Sequence, residues 1–198
     1  MGELELVDWR RRVAELYGRV RRRWEADPLA AFDDWCTTRD RLLRTHPQTP
    51  LEEPDGFAGL EYAPYDPSFV WSVDVDTDVE RERFPVATSG GGEMQFVRFG
   101  RVQLPLGGLD LFWVDGYGGG IFLPFRDATA GDTTYGGGRY LLDTVKGADL
   151  GAQRNGRLIL DFNFAYHPSC VYSPRWTCPL APPGNRLDAQ VPVGELLG

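Results

Sequence analysis

The sequence predicts a β-rich α+β fold, a barrel or sandwich of about eight mostly antiparallel strands with an N-terminal pair of helices. Hydrophobic residues make up 42% of the 198-residue chain, which is enough to build a core. The 24 glycines and 15 prolines indicate many tight turns. From Leu60 onward, apolar runs with a two-residue period follow one another roughly every ten residues, as in barrels and sandwiches.

Residues 1–47 are predicted to form a helical arm that packs on a β-rich domain over residues 48–198, as one structural unit. Apolar residues recur at three- and four-residue steps along the first helix: Val7, Trp9, Val13, Leu16, Tyr17, Val20 and Trp24. Asp8 is the predicted N-cap of this helix. A second helix is predicted over Leu29–Leu43, and His46–Pro47 ends it.

Eight regions of the β-rich domain have the pattern of strands. Phe69–Asp76 alternates strictly between apolar and polar residues, as a half-buried strand does. Met94–Phe99 and Arg101–Leu106 flank Gly100 and are predicted to form a hairpin. The remaining predicted strands are Phe84–Thr88, Leu109–Val114, Gly120–Phe125, Arg139–Thr144 and Leu158–Asn163.

Charge and composition exclude several partners. The net charge of −8 argues against nucleic acid, because binding to a phosphate backbone needs a basic surface. No apolar stretch is long enough to span a bilayer, and the acidic N-terminus does not resemble a secretory signal. We therefore expect a cytoplasmic protein without a membrane partner, in which Cys36, Cys170 and Cys178 are thiols. The sequence identifies neither a cofactor nor an oligomeric state.

The first polar segment, Phe122–Leu142, contains the end of a predicted strand, at Phe125. Arg126 and Arg139 could hold an anion together with the backbone amides of Gly136–Gly138. The alternative is a structural loop, in which pairs such as Arg126 and Asp127 tie the segment to the sheet. The segment has neither a phosphate-binding P-loop nor a dinucleotide-binding fingerprint.

The second polar segment, Leu160–Leu187, contains His167, Cys170 and Cys178. Their His-x2-Cys-x7-Cys spacing differs from the short knuckles of structural zinc sites, so they are weak candidates for metal ligands. A Cys170–Cys178 disulfide and a Cys178 nucleophile with His167 as its base are further alternatives. Two buried, inert thiols are the commoner arrangement.

Asp161 and Asn163 point to the same face if both lie on a strand, because side chains alternate along a strand. Together with Tyr166 they could line a pocket. They could equally fix the following loop by accepting hydrogen bonds from its amides.

The chain resembles a bacterial and archaeal family catalogued as domain of unknown function 1684. The resemblance covers most of the chain and is most specific in Phe122-Leu-Pro-Phe-Arg-Asp-Ala-Thr129 and in Leu160-Asp-Phe-Asn163 with the later Asn185-Arg-Leu187. It adds Asn185 and Arg186 to the predicted ligand contacts but implies no activity. The chain departs from the family at His167, where the family often has Asn, and at Gly184, where it often has Glu.

These patterns predict a small-molecule-binding protein that recognises an anionic or polar ligand where the two segments meet. Arg126 and Arg139 would hold the anion, and Tyr135, Asn163 and Tyr166 would orient the ligand together with Asn185 and Arg186. Asp127 or Asp161 would be the catalytic acid or base, if its pKa is shifted.

Other functions are also compatible with the sequence. One is a metal- or cysteine-dependent hydrolase that uses His167, Cys170 and Cys178. Another is a structural or protein-interaction domain in which the polar segments are a rigid plug. A flavin-binding split barrel fits the strand count, although no phosphate-binding signature indicates it.

Overall fold

The computed structural model describes residues 2–198 and contains, within them, two α-helices, six short 3-10 turns and nine strands. The helices are α1 (Glu3–Trp24) and α2 (Pro28–Thr45). The first five strands are β1 (Glu61–Tyr62), β2 (Val70–Val73), β3 (Arg83–Ala87), β4 (Glu93–Leu104) and β5 (Gly107–Val114). The last four are β6 (Ile121–Phe125), β7 (Arg139–Asp143), β8 (Leu158–Asp161) and β9 (Glu195–Leu196).

The strands form three antiparallel sheets. The largest has the order β3-β4-β5-β6-β7, while β2 pairs with β8 and β1 pairs with β9. The predicted β-rich α+β class with two N-terminal helices is confirmed, but the closed-barrel alternative is wrong. The edge strands β3 and β7 do not pair with each other. Pro85 in β3 also lacks the backbone N–H that pairing on that edge would need.

The two helices begin and end for identifiable reasons. α1 starts at Glu3 with Gly2 as N-cap, so the prediction of Asp8 as N-cap is wrong. Asp8 instead pairs with Arg12 at 2.7 Å and with His46 at 3.1 Å. α2 matches its prediction: the Asp27 side chain accepts a hydrogen bond from the Ala30 amide, and His46 is the C-cap.

Gly100 lies inside a strand and not in a turn. β4 is continuous through it, and a register shift between Arg98 and Gly100 marks a bulge, so the hairpin predicted at Gly100 is wrong. A Cβ atom at position 100 would lie 2.6 Å from Cγ1 of Val75. The glycine therefore permits a close approach between β4 and the chain after β2. The hairpin in this region is formed by β4 and β5, and its turn lies between Leu104 and Gly107.

Three strands, β1, β8 and β9, differ from the prediction in smaller ways. β8 stops at Asp161, and Asn163 lies in the 3-10 turn Phe162–Phe164, so the two residues do not share one strand face. The strands β1 and β9 are two residues long and were not predicted from the sequence. Such short strands leave too few residues for an alternating pattern to be visible.

The helices pack on the β-rich part through an apolar cluster. Leu16 and Val20 of α1 and Trp35 of α2 are buried against Ile159 and Phe164. A second cluster fills the space between the large sheet and the β2-β8 pair. Among residues 2–198, no helix is long and apolar enough to cross a membrane.

We predict that Gly100→Ala lowers the free energy of unfolding by about 1–3 kcal/mol, because the new methyl group would clash with Val75. Urea denaturation measures the effect. Gly56→Ala is the matched control, since a Cβ at position 56 meets no atom within 4 Å and should change stability by less than about 0.5 kcal/mol. Equal effects of the two substitutions would contradict the close approach.

Candidate functional site

Asp127 and Arg139, both predicted site residues, form a buried ion pair. The Arg139 guanidinium donates to Asp127 at 3.3 Å and to the carbonyl oxygens of Val191, at 2.7 Å, and Val193. The Asp127 carboxylate also accepts from Thr129 and from the Val191 amide. Burial lowers the pKa of Arg139, and Asp127 opposes this effect. The pair therefore fixes the C-terminal segment on β7.

Asp161 and Asn163 hold a loop and the end of α1. The Asp161 carboxylate accepts hydrogen bonds from Trp24 at 2.8 Å, from the Tyr65 hydroxyl at 3.0 Å, and from Asn163. Burial raises the pKa of Asp161, and these donors oppose the effect. Asn163 bonds both the amide and the carbonyl of Asp66. Both side chains contact protein groups on all sides.

Asn185 has an equally closed environment. Its side chain bonds the amide and carbonyl of Asp110 and the carbonyl of Pro124, at 2.8–2.9 Å. Arg126 exchanges backbone hydrogen bonds with Asn185 and Leu187, and its Nε is buried without a partner. The Arg186 side chain is 65% exposed. Arg139 is thus engaged by Asp127 and the C-terminal carbonyls, whereas the bonds of Arg126 to Asn185 and Leu187 are made by its backbone.

A cavity of about 100 Å³ lies between the two helices and the second polar segment. Its apolar wall is formed by Trp9, Val13, Leu16, Leu42, Leu43, Pro50, Ala148 and Pro168. Its remaining lining is aromatic or polar: Tyr17, Arg39, Tyr140, Lys146, Tyr166, His167, Ser169 and Tyr172. Of the predicted site residues, Tyr166 and His167 line this cavity.

A fully buried carboxylate, Glu195, lies behind the cavity wall. It accepts hydrogen bonds from Arg39 at 2.7 Å, from the His167 amide at 3.1 Å, and from the Tyr172 hydroxyl. Burial raises the pKa of Glu195, but Arg39, His167 and Tyr172 outweigh burial and bring the pKa to about 2. Glu195 is therefore a stable anion that joins α2, β9 and the second polar segment.

His167 is fixed between two elements. Its Nδ1 lies 3.3 Å from Glu195 Oε1, and its Nε2 lies 3.2 Å from the Tyr135 amide. Because a backbone N–H can only donate, Nε2 accepts and the ring proton is on Nδ1. Both ring nitrogens thus have partners, which leaves no nitrogen for a metal. Among residues 2–198, no three His, Cys, Asp or Glu side chains converge on a metal position.

Arg39 is held in place by its neighbours and faces the cavity. Besides Glu195, its guanidinium contacts the Tyr62 hydroxyl at 3.2 Å. It also lies over the rings of Trp35 at 4.5 Å and Tyr166 at 5.2 Å. Burial lowers the pKa of Arg39, but Glu195 outweighs this, so the pKa lies well above its ordinary value.

Three polar groups that line the cavity keep donor capacity, those of Tyr17, Arg39 and Lys146, whereas Tyr140 and Tyr172 donate their hydroxyl protons to Pro179 and Glu195. The Tyr17 oxygen accepts from Trp35 at 3.0 Å, which leaves the phenolic proton for another acceptor. Burial raises the pKa of Tyr17 to about 12, so this proton is retained at neutral pH. Burial likewise raises the pKa of Tyr166 well above its ordinary value. Lys146, paired with Asp143 at 3.0 Å, lies at the cavity mouth with a half-exposed side chain.

Sequence reasoning missed Arg39 and Glu195, although each left a signal. Arg39 continues the apolar stripe of α2, four residues after Trp35 and three before Leu42. Glu195 continues the two-residue alternation of the buried Val191 and Val193. A charged residue in line with a buried face implies a buried partner of opposite charge.

We predict that Glu195→Gln lowers the free energy of unfolding by about 3–5 kcal/mol at pH 7, since it leaves Arg39 buried without its anion. The difference from the wild-type protein should shrink by about 3 kcal/mol between pH 5 and pH 2. Above the ordinary pKa of 4.5, the Glu195 carboxylate is ionised in both the folded and the unfolded protein. Below that pH the unfolded chain takes up a proton first, so the stabilisation by Glu195 is lost as the pH falls toward 2.

Urea denaturation at a series of pH values measures this difference. Glu53→Gln is the control, because Glu53 is exposed and its removal should change stability little at any pH. A difference between Glu195→Gln and wild type that stays constant from pH 5 to pH 2 would contradict the low pKa.

Comparison with known proteins gives a family without an assigned activity. The model of the family described as "Protein of unknown function (DUF1684)" matches residues 55–196. An uncharacterized protein of Haloarcula marismortui with a solution NMR structure is 32% identical, with a TM-score of 0.56; the match covers 88% of this chain and 94% of that chain. No curated protein matches. The chain belongs to the DUF1684 family.

Proposed function

We propose that this protein binds a small carboxylate with an apolar body in the cavity between α1, α2 and the Tyr166–Tyr172 segment. The observation that carries the proposal is the combination of an apolar wall with the donors of Tyr17, Arg39 and Lys146. A carboxylate supplies the acceptors that these donors lack, and an apolar body covers the aliphatic and aromatic wall. We also propose a cytoplasmic location, as expected from the sequence.

The charges around the cavity favour an acceptor group. Glu195 is buried next to the lining residues Arg39, His167 and Tyr172, and its oxygens are already occupied by them. It therefore neutralises and positions Arg39 without presenting an acceptor to a ligand. Lys146 adds a positive charge at the mouth, shared with Asp143. A carboxylate in the cavity would meet donors on the inside and an ammonium group at the entrance.

The size of the cavity limits the ligand. A volume of about 100 Å³ is similar in magnitude to an engineered cavity of about 150 Å³ that binds benzene. The ligand is therefore a branched-chain or single-ring carboxylate. For a molecule of this size we expect a Kd of about 0.1–1 mM.

The two polar segments contribute differently to the proposed binding site. Tyr140 from the first segment and Tyr166, His167 and Ser169 from the second line the cavity. Asp127, Arg139, Asp161, Asn163 and Asn185 would serve it indirectly, because their hydrogen bonds hold the surrounding loops.

We predict that benzoate binds to the wild-type protein and that Val13→Trp weakens binding at least tenfold, because the indole fills the cavity. Ligand-observed NMR and calorimetry measure the Kd. Val7→Trp is the matched control: it places the same side chain on the same helix, at a half-exposed position outside the lining, and should retain binding. Equal affinities of the two variants would place benzoate elsewhere.

We also predict that Lys146→Gln weakens benzoate binding about threefold and leaves benzamide binding unchanged, since the ammonium group acts on the ligand charge. Arg154→Gln, an exposed residue that loses the same charge away from the cavity, is the control. The wild-type protein should bind benzamide at least threefold more weakly than benzoate. Equal binding of the two ligands would show that the cavity does not select for the anion.

A further inference from the structure

Two arginines that are far apart in the sequence lie side by side in the fold. Arg126 and Arg186 are partners in an isolated parallel β-bridge. The Arg126 amide donates to the Asn185 carbonyl at 2.9 Å, and the Arg126 carbonyl accepts from the Leu187 amide at 2.7 Å. Because paired extended backbones are about 5 Å apart, the two arginine side chains leave the main chain close together.

Both arginine side chains point away from the core. Side chains alternate between the two faces of an extended segment. The residues that flank the two arginines are all buried: Phe125, Asp127, Asn185 and Leu187. Arg126 itself is partly exposed, and the Arg186 side chain is 65% exposed. The two guanidinium groups therefore share one outer face of the protein.

The charges of this arginine pair are poorly compensated by the protein. Nε of Arg186 lies 4.0 Å from Asp188, whose side chain is fully exposed. Within residues 2–198, no carboxylate lies within 4.0 Å of the Arg126 guanidinium, and Nε of Arg126 is buried without a hydrogen-bond partner. Like charges opposite each other destabilise a strand pair, and an unpaired buried donor costs further free energy. An anion held between the two arginines would offset both costs.

The aliphatic part of Arg126 is held against the glycine loop. Gly138 has a φ of +98°, and a Cβ atom there would lie 2.9 Å from Cγ of Arg126 and 2.8 Å from Cβ of Ala181. The loop is itself fixed, because the Gly137 carbonyl accepts from the Ala181 amide at 3.0 Å. Arg126 therefore loses little conformational freedom when its guanidinium binds an anion.

We propose that Arg126 and Arg186 form a binding site for a phosphate group, as inorganic phosphate or as a phosphomonoester. One bidentate guanidinium occupies both oxygens of a carboxylate. A phosphate has at least three acceptor oxygens and nearly two negative charges, so it can pair with both arginines. Arg139, the partner of Arg126 expected from the sequence, is instead paired with Asp127 in the interior.

This phosphate site is separate from the proposed carboxylate site. Neither Arg126 nor Arg186 lines the cavity between α1 and α2. The two proposals therefore rest on different side chains, and each can fail without the other.

Calorimetric titration with inorganic phosphate at low ionic strength tests the proposal. We predict saturable binding to the wild-type protein with a Kd of about 1 mM. Arg186→Gln should weaken binding about tenfold, since it removes a charge-assisted pair, and should leave Tm unchanged because the side chain is mostly exposed. Arg154→Gln is the matched control: it removes the same charge from another exposed position and should bind as the wild-type protein does.

Two more substitutions test the role of each arginine. Asp188→Asn removes the acid that competes for Arg186 and should strengthen phosphate binding about twofold. Arg126→Lys keeps the charge but loses the planar fork of donors, and should weaken phosphate binding about threefold.

Phenyl phosphate distinguishes the two sources of the phosphate group. Tighter binding than inorganic phosphate would assign the site to phosphomonoesters, and equal or weaker binding would assign it to the free ion. The cavity variant Val13→Trp should bind phosphate as the wild-type protein does. Two findings would overturn the proposal: no saturable phosphate binding to the wild-type protein, or equal phosphate affinities of Arg186→Gln and Arg154→Gln.

Discussion

The buried Glu195 carboxylate is the interaction on which the arrangement of the site depends. A charge removed from water is tolerated only when donors replace its hydration, and Glu195 receives them from Arg39, His167 and Tyr172. Arg39 comes from α2, while His167 and Tyr172 come from the segment after β8. The carboxylate therefore joins three parts of the chain, and the cavity is the space left between them.

Because Arg39 is held by Glu195, its side chain is already in place for the proposed ligand. A guanidinium that is already neutralised by Glu195 and packed against Trp35 and Tyr166 loses little conformational freedom when a ligand arrives. The ring of Tyr166 and the hydroxyl of Tyr17 complete a wall whose geometry exists before binding. The proposed site is therefore preorganised, with its main charged group supplied by α2 and its counter-charge by β9.

Much of the fold could be predicted from the sequence because it rests on local periodicity. The α2 boundaries and the approximate positions of β3, β5, β6 and β7 follow from apolar spacing and turn residues. The site could not be predicted in the same way. Arg39 and Glu195 are 156 residues apart, and only the tertiary fold brings them together. The roles of Asn163 and Asn185 could not be predicted from the sequence either, because a side-chain amide can contact a ligand or hold a loop.

The match to the family model covers only part of the cavity lining. The DUF1684 model matches residues 55–196, which include Tyr166, His167 and Glu195 but neither α1 nor α2. Arg39 and the part of the apolar wall that the helices supply, from Val13 to Leu43, therefore lie outside the matched region. The helical arm completes a cavity that the matched region leaves open on one side, and the proposed ligand would contact both parts.

The position of a bound ligand tests this account most directly. Intermolecular nuclear Overhauser effects between benzoate and isotope-labelled protein report which side chains lie within about 5 Å of the ring protons. If benzoate binds in the cavity, contacts to the methyl groups of Leu42 and Leu43 and to the ring of Tyr166 are expected. Contacts confined to Arg126, Tyr135 and Arg186 would contradict it, because they would place the ligand in the polar loops and not in the cavity.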